Sequence, residues 1–275
     1  MPPVYVSQIP GYLPYTGNLP AEDMTILLLP YMNTVGIDLV FPPNSTYINA
    51  KRRPQTGATW RGETKAAKIV GGPSFAVTPA TGAVNVKLHT LQLDGSASTQ
   101  AYILQAADCY NWEYYDLHIT GGAAFGAHFQ RTVQGKMYRC RFYAGPNQLD
   151  DHIQVTGGGG SCGDLEFFSN EFFSPVESAF DVEANPGDSV YRITFRDFQI
   201  FGGRTAVQII DGDPNNLIPM TDIVVRNGYI YGASVWGVDM GQEVTGRCQD
   251  VTCANMNPAI KYRIQSAGVY QAGLL

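Results

Sequence analysis

Short stretches of alternating apolar and polar residues recur along the chain between residues 84 and 265. Each stretch ends on a residue that marks a corner, and the corners fall at 95, 121, 145, 175, 202, 232 and 258. Successive corners are therefore 24 to 30 residues apart. The stretches are 91–95, 117–121, 142–145, 172–175, 198–202, 228–232 and, more faintly, 255–258.

A second apolar alternation follows most of these corners, at 127–129, 153–155, 180–182, 207–209, 238–240 and 262–264. Each repeat thus has room for two or three short strands but none for a crossover helix, which is typical of a β-solenoid. The pattern predicts an all-β fold, a parallel β-helix of about seven recognisable coils.

The segments before the repeats are expected to form its N-terminal end. Residues 1–20 contain five prolines and are predicted to be an extended arm, and residues 21–275 a single β-helix domain including its cap. Pro20, followed by Glu22 and Asp23, predicts the start of a helix that caps the open edge of the first coil.

Composition narrows the class of protein. Of the 275 residues 12% are aromatic, 15% are charged and 30 are glycine, which fits an all-β protein with many corners and not a disordered chain. The net charge of −6 argues against a nucleic-acid partner, because phosphate binding needs a basic face. No apolar run is long enough to span a membrane, and no secretory signal is visible at the N-terminus.

The five cysteines are expected to be buried thiols rather than disulfides. Cys109 and Cys162 share a position two coils apart, where coils stacked at about 4.8 Å would separate their Cα atoms by about 9.6 Å. Cys140 and Cys253 are four coils apart. Both separations exceed disulfide reach, and no Cys-x-x-Cys pair suggests zinc.

Two stretches carry a family resemblance. The strand pair with VFPP at 40–43 and TYI at 46–48, followed by LDG at 93–95, resembles the first coils of pectate-lyase-like right-handed parallel β-helix proteins. The resemblance covers residues 20–265 and implies that fold. The superfamily includes polysaccharide lyases, phage tailspike depolymerases and mannuronan C5-epimerases. The segment Val6-Ser-Gln-Ile9-Pro10, followed by Thr16-Gly17-Asn18, also resembles a short leader found in many bacteriophage tail proteins, so we expect an extracellular or virion-associated protein.

In a solenoid, equivalent positions of successive coils stack in columns, and the residue between two inward apolar residues faces solvent. The predicted central outward column is His128, Gln154, Asp181, Gln208, Asp239 and Arg263. The column two residues earlier is Gly126, His152, Ala179, Ala206, Gly237 and Lys261, and the column two residues later is Gln130, Thr156, Glu183, Ile210, Gly241 and Gln265. Small residues alternating with polar ones predict a shallow groove for a linear glycan.

The candidate catalytic residues on this face are His128, Asp150, Asp151, His152, Asp181 and Glu183, and the candidate substrate-binding residues are Gln154, Arg204, Gln208, Asp239, Lys261 and Arg263. Asp181 and Glu183 should be about 6.8 Å apart, and Asp181 and Asp239 about 9.6 Å, both near the spacing of an inverting glycosidase. A lyase would instead need a histidine base and an arginine for the uronate carboxylate. No metal site is predicted, although Ca²⁺ could bind Asp150, Asp151 and Asp181.

The epimerase comparison leaves two alignments open. Asp150-x-His152, followed by Asp181 or Glu183, has the form of that family's Asp-x-His and later acid, but counting coils places the family's histidine at His128. The aromatic run after Tyr110 is expected to be partly core, because alternation sends Trp112 and Tyr114 to one side and Tyr115 to the other.

The sequence therefore predicts a monomeric or homotrimeric enzyme that degrades a polysaccharide, either a lyase or a glycoside hydrolase. A phage tailspike is the candidate origin of such an enzyme. The alternatives are a uronate C5-epimerase and a non-catalytic glycan-binding or structural spike segment.

Overall fold

The computed structural model describes residues 1–145, 151–211 and 218–275, with the backbone alone at Asp211. These residues form two sheets of parallel strands, as the repeat predicts. The nine-stranded sheet contains Lys51–Arg52, Ala76–Val77, Tyr102–Ala107, Phe125–Gln130, Ile153–Thr156, Ser178–Ala184, Thr205–Asp211, Trp236–Met240 and Tyr262–Ile264.

The larger sheet has seventeen strands and forms the other two sides of the coils. Its strands are Val4–Tyr5, Asp38–Phe41, Ser45–Ile48, Thr59–Gly62, Lys68–Gly71, Lys87–His89, Gln92–Gly95, Glu113–Tyr115, His118–Gly121, Val133–Tyr138, Arg141–Tyr143, Ser161–Phe168, Glu171–Phe173, Ser189–Phe201, Met220–Tyr231, Val244–Ala254 and Val269–Ala272.

Between Lys87 and Ala254, each coil turns between two sides of the larger sheet at a single residue in the left-handed conformation, with φ between 52° and 57°. Asparagine and aspartate tolerate this conformation best after glycine, which accounts for much of the column. The corner column is Thr90, Asp116, Arg139, Ser169, Asp197, Asn227 and Asp250.

The inside of the coils is filled by apolar side chains stacked from coil to coil. Phe129 and Phe167 meet edge to face with ring centroids 5.1 Å apart, and Phe180 and Phe195 stack at 4.2 Å. Trp112 and Tyr114 are buried and Tyr115 is not, as the alternation predicts. The five cysteines are confirmed as buried free thiols.

The N-terminal region differs from the prediction in one detail. The α-helix is Thr25–Met32 and does not begin at Pro20, because the Glu22 carboxylate accepts hydrogen bonds from Thr16 and the chain turns there. Leu28 and Met32 are buried in the core. Two short 3₁₀ helices are Val6–Gln8 and Pro258–Ile260. No helix in the described ranges is long and apolar enough to cross a membrane.

Candidate functional site

The central column of the nine-stranded sheet lies where the sequence predicts it. Parallel pairing aligns His128 with Gln154, then Asp181, Gln208, Asp239 and Arg263 in turn. The same pairing extends the column backwards to Gln105. The column two residues later is confirmed from Gln130 through Thr156 and Glu183 to Ile210.

The column two residues earlier does not face solvent, so that part of the prediction is wrong. Two consecutive residues point inward where each strand begins, as with Ala179 and Phe180, both fully buried. The small residues are therefore needed by the core rather than by a groove: a Cβ added at Gly237 would lie 2.6 Å from the Cys253 sulfur. Lys261 is half-buried, and its carbonyl accepts a hydrogen bond from the Val238 N–H at 3.0 Å.

The correction removes His152 from the candidate catalytic residues, because its side chain is fully buried. The imidazole packs between Phe142 and Phe172, with centroids 5.9 and 6.1 Å away. Its Nε2 lies 3.1 Å from the Phe173 carbonyl oxygen, and burial lowers the pKa of His152 to about 4. A core histidine of this kind cannot reach a substrate on the outer face.

A second outward column exists on this sheet, and each of its members lies three residues before the central-column residue of the same coil. Backbone bonds and strand pairing align Tyr102 with Phe125, and Ser178 with Thr205 and Trp236. Asp151 belongs to this column, since the Gly126 N–H donates to its carbonyl and the His152 N–H donates to that of Ser178. The Asp151 carboxylate accepts a hydrogen bond from the Ser178 N–H at 2.8 Å and is 4% exposed.

A pocket of about 300 Å³ opens on this face, and we call it the sheet pocket. Its lining residues are Glu177, Arg204, Thr205, Gln208, Val235, Trp236, Asp239 and Arg263. Arg263 forms a bidentate ion pair with Asp239, which is 2% exposed, and its guanidinium lies 4.9 Å above the Trp236 ring. Arg204 pairs with Glu177 at 2.7 Å. The pocket thus combines a buried carboxylate, an indole and two oriented guanidinium groups.

Asp181 and Glu183 lie one coil before the sheet pocket. Asp181 aligns with Gln208 and is 2% exposed. Gln154 donates a hydrogen bond to the Glu183 carboxylate at 3.3 Å. The side chain of Asp181 is therefore buried, while that of Glu183 is partly exposed.

His128 lies at the other end of the face in an aromatic environment. Its ring is 5.9 Å from Tyr102 and 5.5 Å from Phe125, and its Nδ1 is 3.3 Å from the Gln105 side-chain nitrogen. Burial, with a smaller effect of Arg131, lowers the pKa of His128 to about 4. The imidazole is therefore neutral near pH 7 and a weak base.

The structure brings four predicted residues into one pocket: Arg204, Gln208, Asp239 and Arg263. Sequence analysis missed Glu177, Thr205 and Trp236, which lie outside the assumed columns. Counting three residues back from Gln208 and Asp239 would have found Thr205 and Trp236. Glu177 lies next to that column, one residue before Ser178. Asp150 lies outside the described residues. Within the described ranges no group of three or more histidine, cysteine, aspartate or glutamate side chains could hold a metal ion.

Comparison with known proteins supports the fold. No protein-family model and no curated protein sequence matches the chain. Among solved structures, ORF18 of Geobacillus virus E2 aligns at 11% identity with a TM-score of 0.67, over 92% of this chain and 59% of the viral protein. The Dettilon tailspike protein aligns at 10% identity and 0.56, over 98% of this chain and 68% of the tailspike.

Endo-xylogalacturonan hydrolase from Aspergillus tubingensis aligns at 13% identity with a TM-score of 0.51, over 90% of this chain and 93% of the hydrolase. The chain thus spans a little over half the length of the viral protein and nearly all of the hydrolase. These similarities and the stacked parallel strands show a parallel β-helix, which is the fold that the sequence resemblance implies.

Proposed function

We propose that this protein hydrolyses a polysaccharide that lies along the outer face of the nine-stranded sheet. The observation that carries the proposal is the pair of buried carboxylates, Asp181 and Asp239, in one column beside the sheet pocket. The hydrolase among the structural neighbours is named for its action on xylogalacturonan, which supports a polysaccharide as the class of substrate.

Two carboxyl groups on one face can divide the work of a glycosidase. Asp181 and Asp239 are two coils apart, about 9.6 Å at the usual strand spacing, which leaves room for a water molecule between acid and base. Arg263 orients the Asp239 carboxylate, so we assign to Asp239 the activation of water and to Asp181 the protonation of the leaving oxygen.

The sheet pocket supplies contacts for a sugar ring beside these carboxylates. The Trp236 indole offers an aromatic surface, while Gln208 and Arg204 offer hydrogen-bond donors for hydroxyl groups. Its size, about 300 Å³, suits one sugar unit of a longer chain. The rest of the polymer would follow the column toward Gln154.

Hydrolysis is favoured over β-elimination and epimerisation because those reactions need a base for the proton next to a uronate carboxylate. His128 is a weak base, since its pKa is about 4, and His152 is buried in the core. Arg204 and Arg263, the predicted partners of such a carboxylate, already pair with Glu177 and Asp239. The face therefore suits a neutral polysaccharide better than an acidic one.

The test is incubation with a panel of neutral and acidic polysaccharides, followed by measurement of new reducing ends and of the ultraviolet absorbance of unsaturated sugars. Hydrolysis predicts new reducing ends without absorbance. Asp181→Asn and Asp239→Asn should each lower the rate about 10²- to 10⁴-fold. Asp222→Asn, the same change on an exposed corner of the other sheet, is the matched control.

An increase in absorbance would show that the enzyme is a lyase and would contradict the proposed hydrolysis. Glycan binding without any product would favour the non-catalytic spike segment, and Asp181→Asn would then change affinity alone. A change in uronate stereochemistry, followed by NMR, would point to an epimerase.

Location and assembly are part of the same proposal. The viral proteins among the structural neighbours support a virion-associated or extracellular protein, and we propose a homotrimer for a tailspike role. Light scattering after size-exclusion chromatography distinguishes a trimer from a monomeric enzyme.

A further inference from the structure

A larger groove lies on a different side of the coils, where the chain turns into the middle strands of the larger sheet. Its volume is about 650 Å³, and we call it the corner groove. Its lining residues are Asn85, Lys87, Asn111, Trp112, Glu113, Gln134, Gly135, Lys136 and Asp164. Nothing in the function proposed above uses these residues.

Two columns of side chains form the walls of the corner groove. One wall is a row of corner residues with φ between 53° and 59°, namely Asn85, Asn111, Gln134 and Asp164. The other is the outward row of the adjoining strands, where pairing aligns Lys87 with Glu113 and Glu113 with Lys136. Both rows advance one residue per coil, so the groove runs along the axis of the solenoid.

The floor of the groove includes Gly135, which packs directly against the buried Trp112 ring. A Cβ added at Gly135 would lie 1.9 Å from the Trp112 indole, so no larger residue fits without moving the ring. The indole is held in place by its Nε1, which donates a hydrogen bond to Thr132 Oγ1 at 2.8 Å. The groove therefore rests on a rigid part of the core.

The chemistry of the walls suits a ligand rich in hydroxyl groups. Each carboxamide has two donor hydrogens and an oxygen that accepts two bonds, so the bond from Asn111 to Asn85 uses a small part of their capacity. The charges balance, since Lys87 pairs with Glu113 at 2.9 Å and Asp164 pairs with Arg192. Asn85, Asn111 and Gln134 are exposed.

We propose that the corner groove is a second, non-catalytic binding site for a neutral oligosaccharide chain. Carboxamides spaced by the coil repeat of about 4.8 Å can bond successive sugar units of a chain that lies along the axis. A balanced set of charges favours a neutral glycan over a polyanion, which would meet Glu113 and Asp164. This inference does not rest on catalysis at the nine-stranded sheet.

The two sites can be observed separately in the full chain, because both contain carboxamides. The probes are neutral cello-, xylo-, laminari- and malto-oligosaccharides, titrated into ¹⁵N-labelled protein that carries Asp181→Asn. We expect saturable shifts of the Asn85, Asn111 and Gln134 side-chain amide resonances. Shifts of the Gln154 and Gln208 side-chain amides report binding at the nine-stranded sheet. A lack of binding at that sheet can therefore be distinguished from a lack of binding at the corner groove.

The variant Gln134→Glu keeps the size of the side chain and removes its donors. It should weaken binding at the corner groove about three- to tenfold and leave the Gln208 shifts unchanged. Gln199→Glu makes the same charge change at an exposed position of the larger sheet and is the control. The proposal is overturned by shifts that are absent or never saturate across the panel, or by equal weakening in the control.

Discussion

The buried imidazole of His152 makes the stability of the protein depend on pH. The folded state lowers the pKa of His152 from 6.5 to about 4. Between these two pH values, His152 is protonated in the unfolded chain and neutral in the folded chain. Stability is therefore expected to fall as the pH drops from about 6.5 toward about 4. His128, with the same shift, adds to this loss.

His152→Gln removes the titration while keeping a donor for the Phe173 carbonyl. The difference in unfolding free energy between about pH 7 and pH 5, measured by urea denaturation, should shrink by about 1–2 kcal/mol relative to the wild type. His89→Gln, at a half-buried surface position, should change it less. An unchanged pH dependence in His152→Gln would contradict the assignment.

The ion pair between Arg263 and Asp239 is asymmetric, since the carboxylate is buried and the arginine side chain is 42% exposed. Arg263→Gln leaves a buried carboxylate without its counterion and should cost about 1–2 kcal/mol, a value reduced by the exposure of the arginine. Adding Asp239→Asn should recover part of this loss. Strictly additive effects in the double-mutant cycle, measured by urea denaturation, would show that the pair is not coupled.

At the scale of the single coil, the corner column imposes a left-handed backbone conformation. This conformation favours glycine over valine, whereas an extended strand favours valine over glycine. Asn227 has a φ of 52°, where a β-branched residue is strained. We expect Asn227→Val to be less stable than Asn227→Gly by about 1–2 kcal/mol in thermal or urea unfolding. Both variants lose the bond to Asp197, so their difference isolates the backbone.

The control for this comparison lies in a strand of the same sheet. At Thr252, which is extended, valine should be more stable than glycine. The same order at both positions would show that the left-handed corner carries no conformational preference.

The strands also show which part of the site the sequence could predict. The central column was predictable because paired apolar residues such as Phe180 and Val182 identify the inward positions on both sides of Asp181. The preceding column was not, because two inward residues follow each other where a strand begins. Gly126 and Ala179 are small enough to line a groove or to pack in a core, so their identity does not show which way they face. Trp236 was missed because the two consecutive inward residues place it three, and not two, residues before Asp239.

For the whole molecule, the corner spacing of 24 to 30 residues was sufficient to predict the solenoid, because each repeat has room for two or three short strands but none for a crossover helix. The start of the helix was less predictable. Proline and acids after residue 20 fit a first helical turn, but Glu22 instead closes a loop onto Thr16. That contact depends on the folded path of the arm and has no counterpart in local pattern.

Stacked coils contact mainly their neighbours, so the ends of the solenoid should open more readily than its middle. The cysteines can report this gradient. Burial raises the pKa of Cys140 and Cys162 to about 12, and both lie in central coils, whereas Cys253 lies near the C-terminal end with 2% exposure. A thiol reaches a reagent only when its coil opens.

We therefore expect native protein to react slowly with a thiol reagent and to expose all five cysteines in denaturant. Cysteine-specific mass spectrometry during the native reaction should find Cys253 modified first and Cys140 and Cys162 last. Because coils in the middle of the stack lose contacts on both sides when they open, their protection should approach the free energy of global unfolding. Equal rates at all three sulfurs would mean instead that the coils open together as one cooperative unit.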